Sequence, residues 1–193
     1  MIHLKAAQYR RMPWKNGLGE TTEIAVFPMD AALESFDWRV SMARVSASGP
    51  FSVFPGIDRN LTVLTGGTLS LAVNGHAPMR LDPSSPPLSF AGDAHTDATL
   101  TGGDLLDFNV MTRRGRITQH VSRLALQGQL TQRVAGNTTL LFCIGPEVTV
   151  DVDQTRLILG QYDALLCDRS DALLTLTAAI ATAVMRVDLI RLA

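Results

Sequence analysis

Apolar residues in this chain alternate with polar ones or run in short blocks, and each block is closed by Gly, Pro, Asn or Asp. A period of two belongs to a strand, whose side chains point to opposite faces in turn, and not to a helix. The clearest blocks are FDWRVSMARV (36–45), RNLTVL (59–64), TLSLAV (68–73), LLDFNVM (105–111), TLLFCI (139–144) and VTVDV (148–152). Turn signals separate them: SASGP at 46–50, FPG at 54–56, TGG at 65–67 and 101–103, and NG at 74–75. Many short strands at this spacing predict an all-β sandwich or barrel. The segment ITQHVSRLALQG (117–128) fits a short helix and a strand alike. ALLTLTAAIATAVM (172–185) is too short and too rich in Thr to span a bilayer, and reads as a buried strand.

The pattern repeats. At an offset of 79 residues VLTGGTLSLAV (63–73) falls on FCIGPEVTVDV (142–152), with Gly66 on Gly145, and FNVM (108–111) falls on VDLI (187–190). This predicts an internal duplication into two jelly-roll β-barrel lobes, 1–115 and 116–193, joined near TRRGRITQH (112–120). The first lobe carries both Trp, three of the four His and the denser set of polar residues, so the ligand pocket is expected there and the second lobe is expected to be degenerate.

A chain of 193 residues can bury a real core without metal or disulfide support. Lys and Arg number 17 against 18 for Asp and Glu, a net charge of −1, which supplies no field to draw in nucleic acid or an anionic membrane. Recognition of charge must therefore be local. Cys143 and Cys167 sit in apolar runs and the opening MIHLKAAQYRRMPW lacks the pattern of a secretory signal, so the expected home is the reducing cytoplasm. The sequence has no GxSxG elbow, no CxxC and no basic stripe interleaved with aromatics. The cluster TRRGR (112–116) reads as a solvated linker, with an edge contact to a partner as the alternative.

Three longer segments, MPWKNGLGETTEI (12–24), FDWRVSMARVSASGPFSVFPGIDRNLTVLTGG (36–67) and LTGGDLLDFNVMTRR (100–114), resemble the HutD/Ves family. The resemblance covers most of the N-terminal half in the family's order, and much less of the C-terminal half. It implies a bicupin fold, and an association with bacterial histidine utilisation, as a moderator of that pathway, or with stress induction. It implies no established catalytic activity.

A metal-binding cupin needs two His and a carboxylate on adjoining strands, then a further His, all converging inside the barrel. Seven residues before Gly66, where the carboxylate would stand, this sequence has Arg59, and no HxH precedes it. His95 in FAGDAH occupies the place of a second-motif ligand without its partners, and reads as a loop histidine; His3, His76 and His120 are isolated. No metal and no cofactor are expected.

A guanidinium in the place of a metal keeps the positive charge but offers a planar fork of donors, which suits a carboxylate. Arg59 shares a strand face with Leu61 and Val63, so it points into the barrel or caps its rim; the alternative is a surface arginine paired with Asp58. Asp107 and Asn109 share a face with Leu105 and Met111, and Arg39 and Ser41 alternate with Trp38 and Val40; each of these faces is pocket or water. In WKNGLGETTEI, Trp14 is expected to cover the barrel end, with Asn16 and Thr22 in contact with ligand.

The expected ligand set is therefore Asn16, Thr22, Arg59, Asp107 and Asn109, around a small anionic metabolite such as N-formylglutamate or urocanate, in a protein that senses or moderates rather than catalyses. The alternative is a metal-independent isomerase or hydrolase, with Asp107 or Glu20 as general base and Arg59 stabilising negative charge. It predicts a carboxylate of raised pKa beside Arg59 in a closed pocket. A third reading, a structural partner that dimerises or docks through an exposed β edge, predicts no polar pocket.

Overall fold

The computed structural model describes residues 1–14 and 19–192. Apart from one 3-10 turn at Ala6–Gln8, its regular structure is strand. In chain order these are β1 (Ile2–Leu4), β2 (Arg10–Pro13), β3 (Gly19–Phe27), β4 (Trp38–Val45), β5 (Gly49–Pro50), β6 (Ile57–Val73), β7 (Met79–Leu81) and β8 (Leu88–Ala91). There follow β9 (Thr96–Arg113), β10 (Ile117–Arg133), β11 (Thr138–Cys143), β12 (Glu147–Val152), β13 (Thr155–Gly160), β14 (Ala164–Cys167) and β15 (Leu173–Arg191). The segment 117–128, open between helix and strand, is strand within β10. The run 172–185 is strand from Leu173 onward, though residues 179–181 are exposed; 173–178 alternate into the core and Val184 and Met185 are both buried.

The chain divides into two units, Arg10–Ile117 and Met1–Tyr9 with Thr118–Ala193. The first nine residues thus belong with the second unit, where β1 pairs antiparallel with β14. Asp163 fastens them: it accepts the Ala6 amide on Oδ1 at 2.8 Å and stands 3.1 Å from His3 Nε2. The first unit holds a sheet in the order β2-β3-β4-β9-β6-β7, with β5 on β9 and β8 on β6. The second holds β1-β14-β11-β15-β12-β13, with β10 on β15.

The repeat is visible in the ladders. β6 and β9 form one long antiparallel pair; in the second unit β15 matches β9, and β11 and β12 together match β6. Leu61 faces Asn109 across the first pair, and Thr139 faces Asp188 across the second. The spacing of 79 carries Asn109 to Asp188 but would carry Leu61 to Leu140. The slip is the same on both sides of the crossing between the two halves of the strand, since Leu71 faces Ala98 while Val150 faces Leu176, again one residue short of the repeat. In the first unit that crossing is a pair of bulges, between Val63 and Thr65 and between Gly66 and Thr68. Gly66 there has φ +95°, and a Cβ would lie 2.2 Å from the Asp104 carbonyl oxygen.

Alternation fixes the cores. In β12, Val148, Val150 and Val152 are fully buried and pack with Leu141, Cys143, Leu165, Leu174, Leu176 and Val184 into an apolar interior. The first unit's corresponding cluster is smaller, built on Val45, Leu61, Val63, Leu69, Leu71 and Leu105, and it gives way at one end to polar side chains.

The basic cluster 112–116 lies just before the boundary between the units, with residues 114–116 exposed as expected of a solvated linker, but its arginines are engaged. Arg114 binds Asp58 (2.8 Å) and Asp93 (2.9 Å), Arg116 binds Asp37 (3.1 Å), and Arg113 donates to the carbonyls of Glu34 and Phe36. Each arginine pins the turn after β9 to the first unit, so Asp58 is engaged by Arg114 and not by Arg59.

Candidate functional site

The polar end of the first unit encloses a cavity of about 670 Å³ walled by β3, β4, β6 and β9 and by the loop carrying Phe51 and Phe54. Strand parity decides which side chains reach it. Arg39, Ser41, Ala43 and Val45 enter from β4, Arg59 from β6, and Asp107, Asn109 and Met111 from β9. The faces left open between pocket and water are therefore pocket faces.

Arg59 is 6% exposed and Asp107 2%. Three phenylalanine rings surround the Arg59 guanidinium, Phe51 at 4.9 Å, Phe90 at 5.3 Å and Phe54 at 5.8 Å. Arg59 Nη2 donates to Asn109 Oδ1 at 2.6 Å, and Asn109 Nδ2 donates to Asp107 Oδ1, also at 2.6 Å. Asp107 Oδ1 accepts a second bond from the Ala43 amide at 3.2 Å. Asn109 thus stands between cation and carboxyl and fixes both.

Arg59 Nε is buried with no hydrogen-bond partner, and Asn109 is its one acceptor among the described residues. Burial, with the Arg39 charge a lesser contributor, pulls its pKa down to about 10, against the pull of Asp107. Burial pushes Asp107 up to about 7, with Arg59, the Ala43 amide and Asn109 acting the other way. A second buried guanidinium, Arg39, is held by Glu23, Nε to Oε2 at 2.6 Å.

The second unit carries a matching polar rung, already closed. Arg186 and Asp188 stand on β15 where Asp107 and Asn109 stand on β9. Arg186 is bound by Asp188 through Nε (2.9 Å) and Nη2 (3.2 Å), by Gln132 Oε1 at 2.6 Å and by the Arg133 carbonyl at 2.7 Å. Thr139 donates to Asp188 Oδ1 at 2.5 Å. Every face of that guanidinium fork has an acceptor from the chain itself, whereas Arg59 has one.

Of the five residues expected to touch ligand, the structure brings Arg59, Asp107 and Asn109 together on one wall. Asn16 lies outside the described residues. Thr22 is buried opposite Met42 on the other face of β3, and its neighbour Thr21 lines the cavity. Trp14 is part of the cavity wall rather than only a cover, with Nε1 donating to Thr21 Oγ1 at 2.8 Å. Gly19 makes that seat: a Cβ there would lie 2.8 Å from the Trp14 ring. Glu20 stands across the β3–β4 ladder from Arg44, whose side chain binds Asp104, and does not line the cavity.

Arg39, Glu23 and the rings of Phe51, Phe54 and Phe90 were not among the expected contacts. Arg39 was legible as a charge on an alternating strand; the phenylalanines carry no sequence mark separating ligand cage from core. His95 is exposed beside Asp97, 3.4 Å from Nδ1 to the carboxylate. Among the described residues no cluster of three or more His, Cys, Asp or Glu side chains gathers. No helix among them is long and apolar enough to cross a membrane.

The HutD family model matches residues 6–185. A Pseudomonas putida protein, described as an uncharacterized 21.2 kDa protein in the hutC 3′ region, is 35% identical over 174 residues, 90% of either chain. Protein Ves of Citrobacter koseri is 45% identical over 114 residues, spanning 55% of this chain and 56% of that one. The structure of HutD from Pseudomonas fluorescens SBW25, in a formate condition, superposes with a TM-score of 0.83 at 30% identity over 100% of this chain and 99% of that one. A cupin barrel domain protein from Leptotrichia buccalis, at 9% identity, covers 95% of this chain and 98% of its own with a TM-score of 0.57, a likeness of fold alone.

Proposed function

The chain belongs to the HutD family, and from that premise we propose that its first-lobe cavity binds a small carboxylate in an accessory or regulatory role. An acidic intermediate of histidine utilisation, such as N-formylglutamate or urocanate, fits the association of its relatives. The observation that carries the reading is the unfilled fork of Arg59. In the second lobe the chain supplies a carboxylate to the buried guanidinium of Arg186. In the first lobe Asn109 takes one donor, Nε is orphaned, and the cavity lies where a carboxylate would stand. Asn109 and Ser41 supply orienting polar groups, and Phe51 and Phe54 exclude water from the charge. Buried free thiols at Cys143 and Cys167 accord with the reducing cytoplasm as its place of action.

Thermal unfolding in the presence of N-formylglutamate, urocanate and simple mono- and dicarboxylates tests this, on wild type and Arg59→Ala without added metal. A ligand at ~100 times its dissociation constant stabilises the native state by roughly 2.7 kcal/mol. One acid should stabilise the wild type and leave Arg59→Ala unmoved. Equal shifts in both proteins would sink the reading.

One observation favours the enzymatic alternative: Asp107 is a carboxyl of raised pKa in the same cavity, as a general acid or base would be. Consumption of the stabilising acid by wild type, abolished in Asp107→Asn with binding retained, would replace sensing by turnover.

A further inference from the structure

We propose, resting on the carboxylate reading above, that Asp107 enters the bound state as the neutral acid and donates from Oδ2 to the incoming carboxylate, so that filling the pocket while Asp107 is ionised takes up one proton. The geometry prepares this. Both donors that reach Asp107, Asn109 Nδ2 at 2.6 Å and the Ala43 amide at 3.2 Å, fall on Oδ1. Oδ2 has no hydrogen bond from the described residues, and the side chain lines the cavity. The carboxyl is therefore held by one oxygen and offers the other to whatever occupies the space.

The charged side chains nearest this carboxyl come from three strands, and only Arg59 acts on it directly. Arg59 on β6 is kept off it by Asn109, whose amide occupies the place an ion pair would take. Arg39 on β4 is committed to Glu23 on β3. No guanidinium is thus hydrogen-bonded to Asp107, and its desolvation is only partly offset, which leaves it titrating near neutrality. A ligand carboxylate bound to Arg59 brings a second negative charge into the same dry space. Two carboxyl groups sharing such a site do not both ionise, and the proton remains on the more basic. With the ligand acid near the ordinary carboxyl value of ~4, that group is Asp107. Its proton then completes a short acid-to-carboxylate hydrogen bond, opposite the one from Arg59.

A pocket that used guanidinium charge alone would bind a monoanion equally from pH 5.5 to 8.5. A pocket that takes up a proton binds it with constant affinity below about pH 7 and about tenfold more weakly for each pH unit above. Formate is the probe, ionised throughout this range, with its dissociation constant read from thermal shifts over a concentration series. Wild type should follow the proton-linked profile. Asp107→Asn places an amide donor where the acid hydroxyl stood, so its profile should be flat and its affinity at pH 8.5 higher than that of wild type.

A flat wild-type profile overturns the proton uptake while leaving the carboxylate pocket standing. Formate that shifts neither protein at any pH overturns both. Carbon-13 NMR of the aspartate carboxyls supplies a measurement that needs no variant. One carboxyl should titrate near pH 7 in the free protein and move to higher pH in saturating formate. Movement to lower pH would overturn the proposal.

Discussion

Asn109 accepts from Arg59 Nη2 at 2.6 Å and donates to Asp107 at the same distance, so one neutral side chain sets the position of both charged ones. Its removal unseats each. Asn109→Ala should leave a buried guanidinium with no acceptor and a carboxyl held only by the Ala43 amide, costing about 1–3 kcal/mol. Urea unfolding at pH 7 measures it. A change below a few tenths of a kcal/mol would mean that water replaces the amide at no cost.

The two lobes should answer differently when their arginines are removed. Arg186→Met leaves Asp188 buried without its cation, and breaking such a pair costs about 3–5 kcal/mol. Among the described residues Arg59 shares no ion pair, and its guanidinium already sits among Phe51, Phe54 and Phe90. At pH 5, with Asp107 neutral, Arg59→Met should change stability by no more than about 1 kcal/mol, since an apolar chain suits that cage. Denaturant midpoints for both variants at pH 5 test the contrast, and comparable losses would refute it.

Asp107 also makes stability depend on pH. Its folded pKa, about 7, lies above the ordinary value of 3.8, so the folded state binds a proton that the unfolded state has lost between these limits. The contribution is complete below pH 4 and disappears as pH rises through 7, at a slope of at most ~1.4 kcal/mol per unit. Asp163 works in the opposite sense: the Ala6 and Gly160 amides and His3 hold it below the ordinary range against desolvation, so its contribution is lost as pH falls through that lowered value. Asp107→Asn should therefore flatten the decline between pH 5 and 8 and gain on wild type at pH 8. Parallel unfolding curves for the two proteins across that range would place the titration elsewhere.

The strand pattern was legible because side chains alternate between two faces: 38–45 of the segment 36–45, with 105–111 and 148–152, are strands in the structure, and Arg59, Asp107 and Asn109 share a wall because their strands pair in register. What escaped were features set between strands. Thr22 was chosen over Thr21 because alternation within one strand does not say which face is inward; the pairing of Thr21 with Ala43 does. The nine N-terminal residues join the second unit through Asp163, a contact 157 residues away in sequence that no local pattern announces. The ion pairs of Arg114 and Arg116 could not be read from 112–116 because their partners, Asp37, Asp58 and Asp93, are scattered along the chain.

Gly19 offers the last test, since it controls the seat of Trp14 without touching a charge. An added Cβ would meet the Arg44 carbonyl oxygen at 2.4 Å and Trp14 Cε3 at 2.8 Å. The first contact is backbone and cannot swing away, so the start of β3 must separate from β4; the second pushes the indole off Thr21 and out of the cavity wall. Gly19→Ala should cost about 1–3 kcal/mol from overpacking. In a Trp38→Phe background, which leaves Trp14 as the sole indole, its emission should shift to the red as the ring gains water. Carboxylate affinity should fall with it, because the ring helps to dry the space in front of Arg59. An unshifted emission with unchanged affinity would show that the wall closes without this contact.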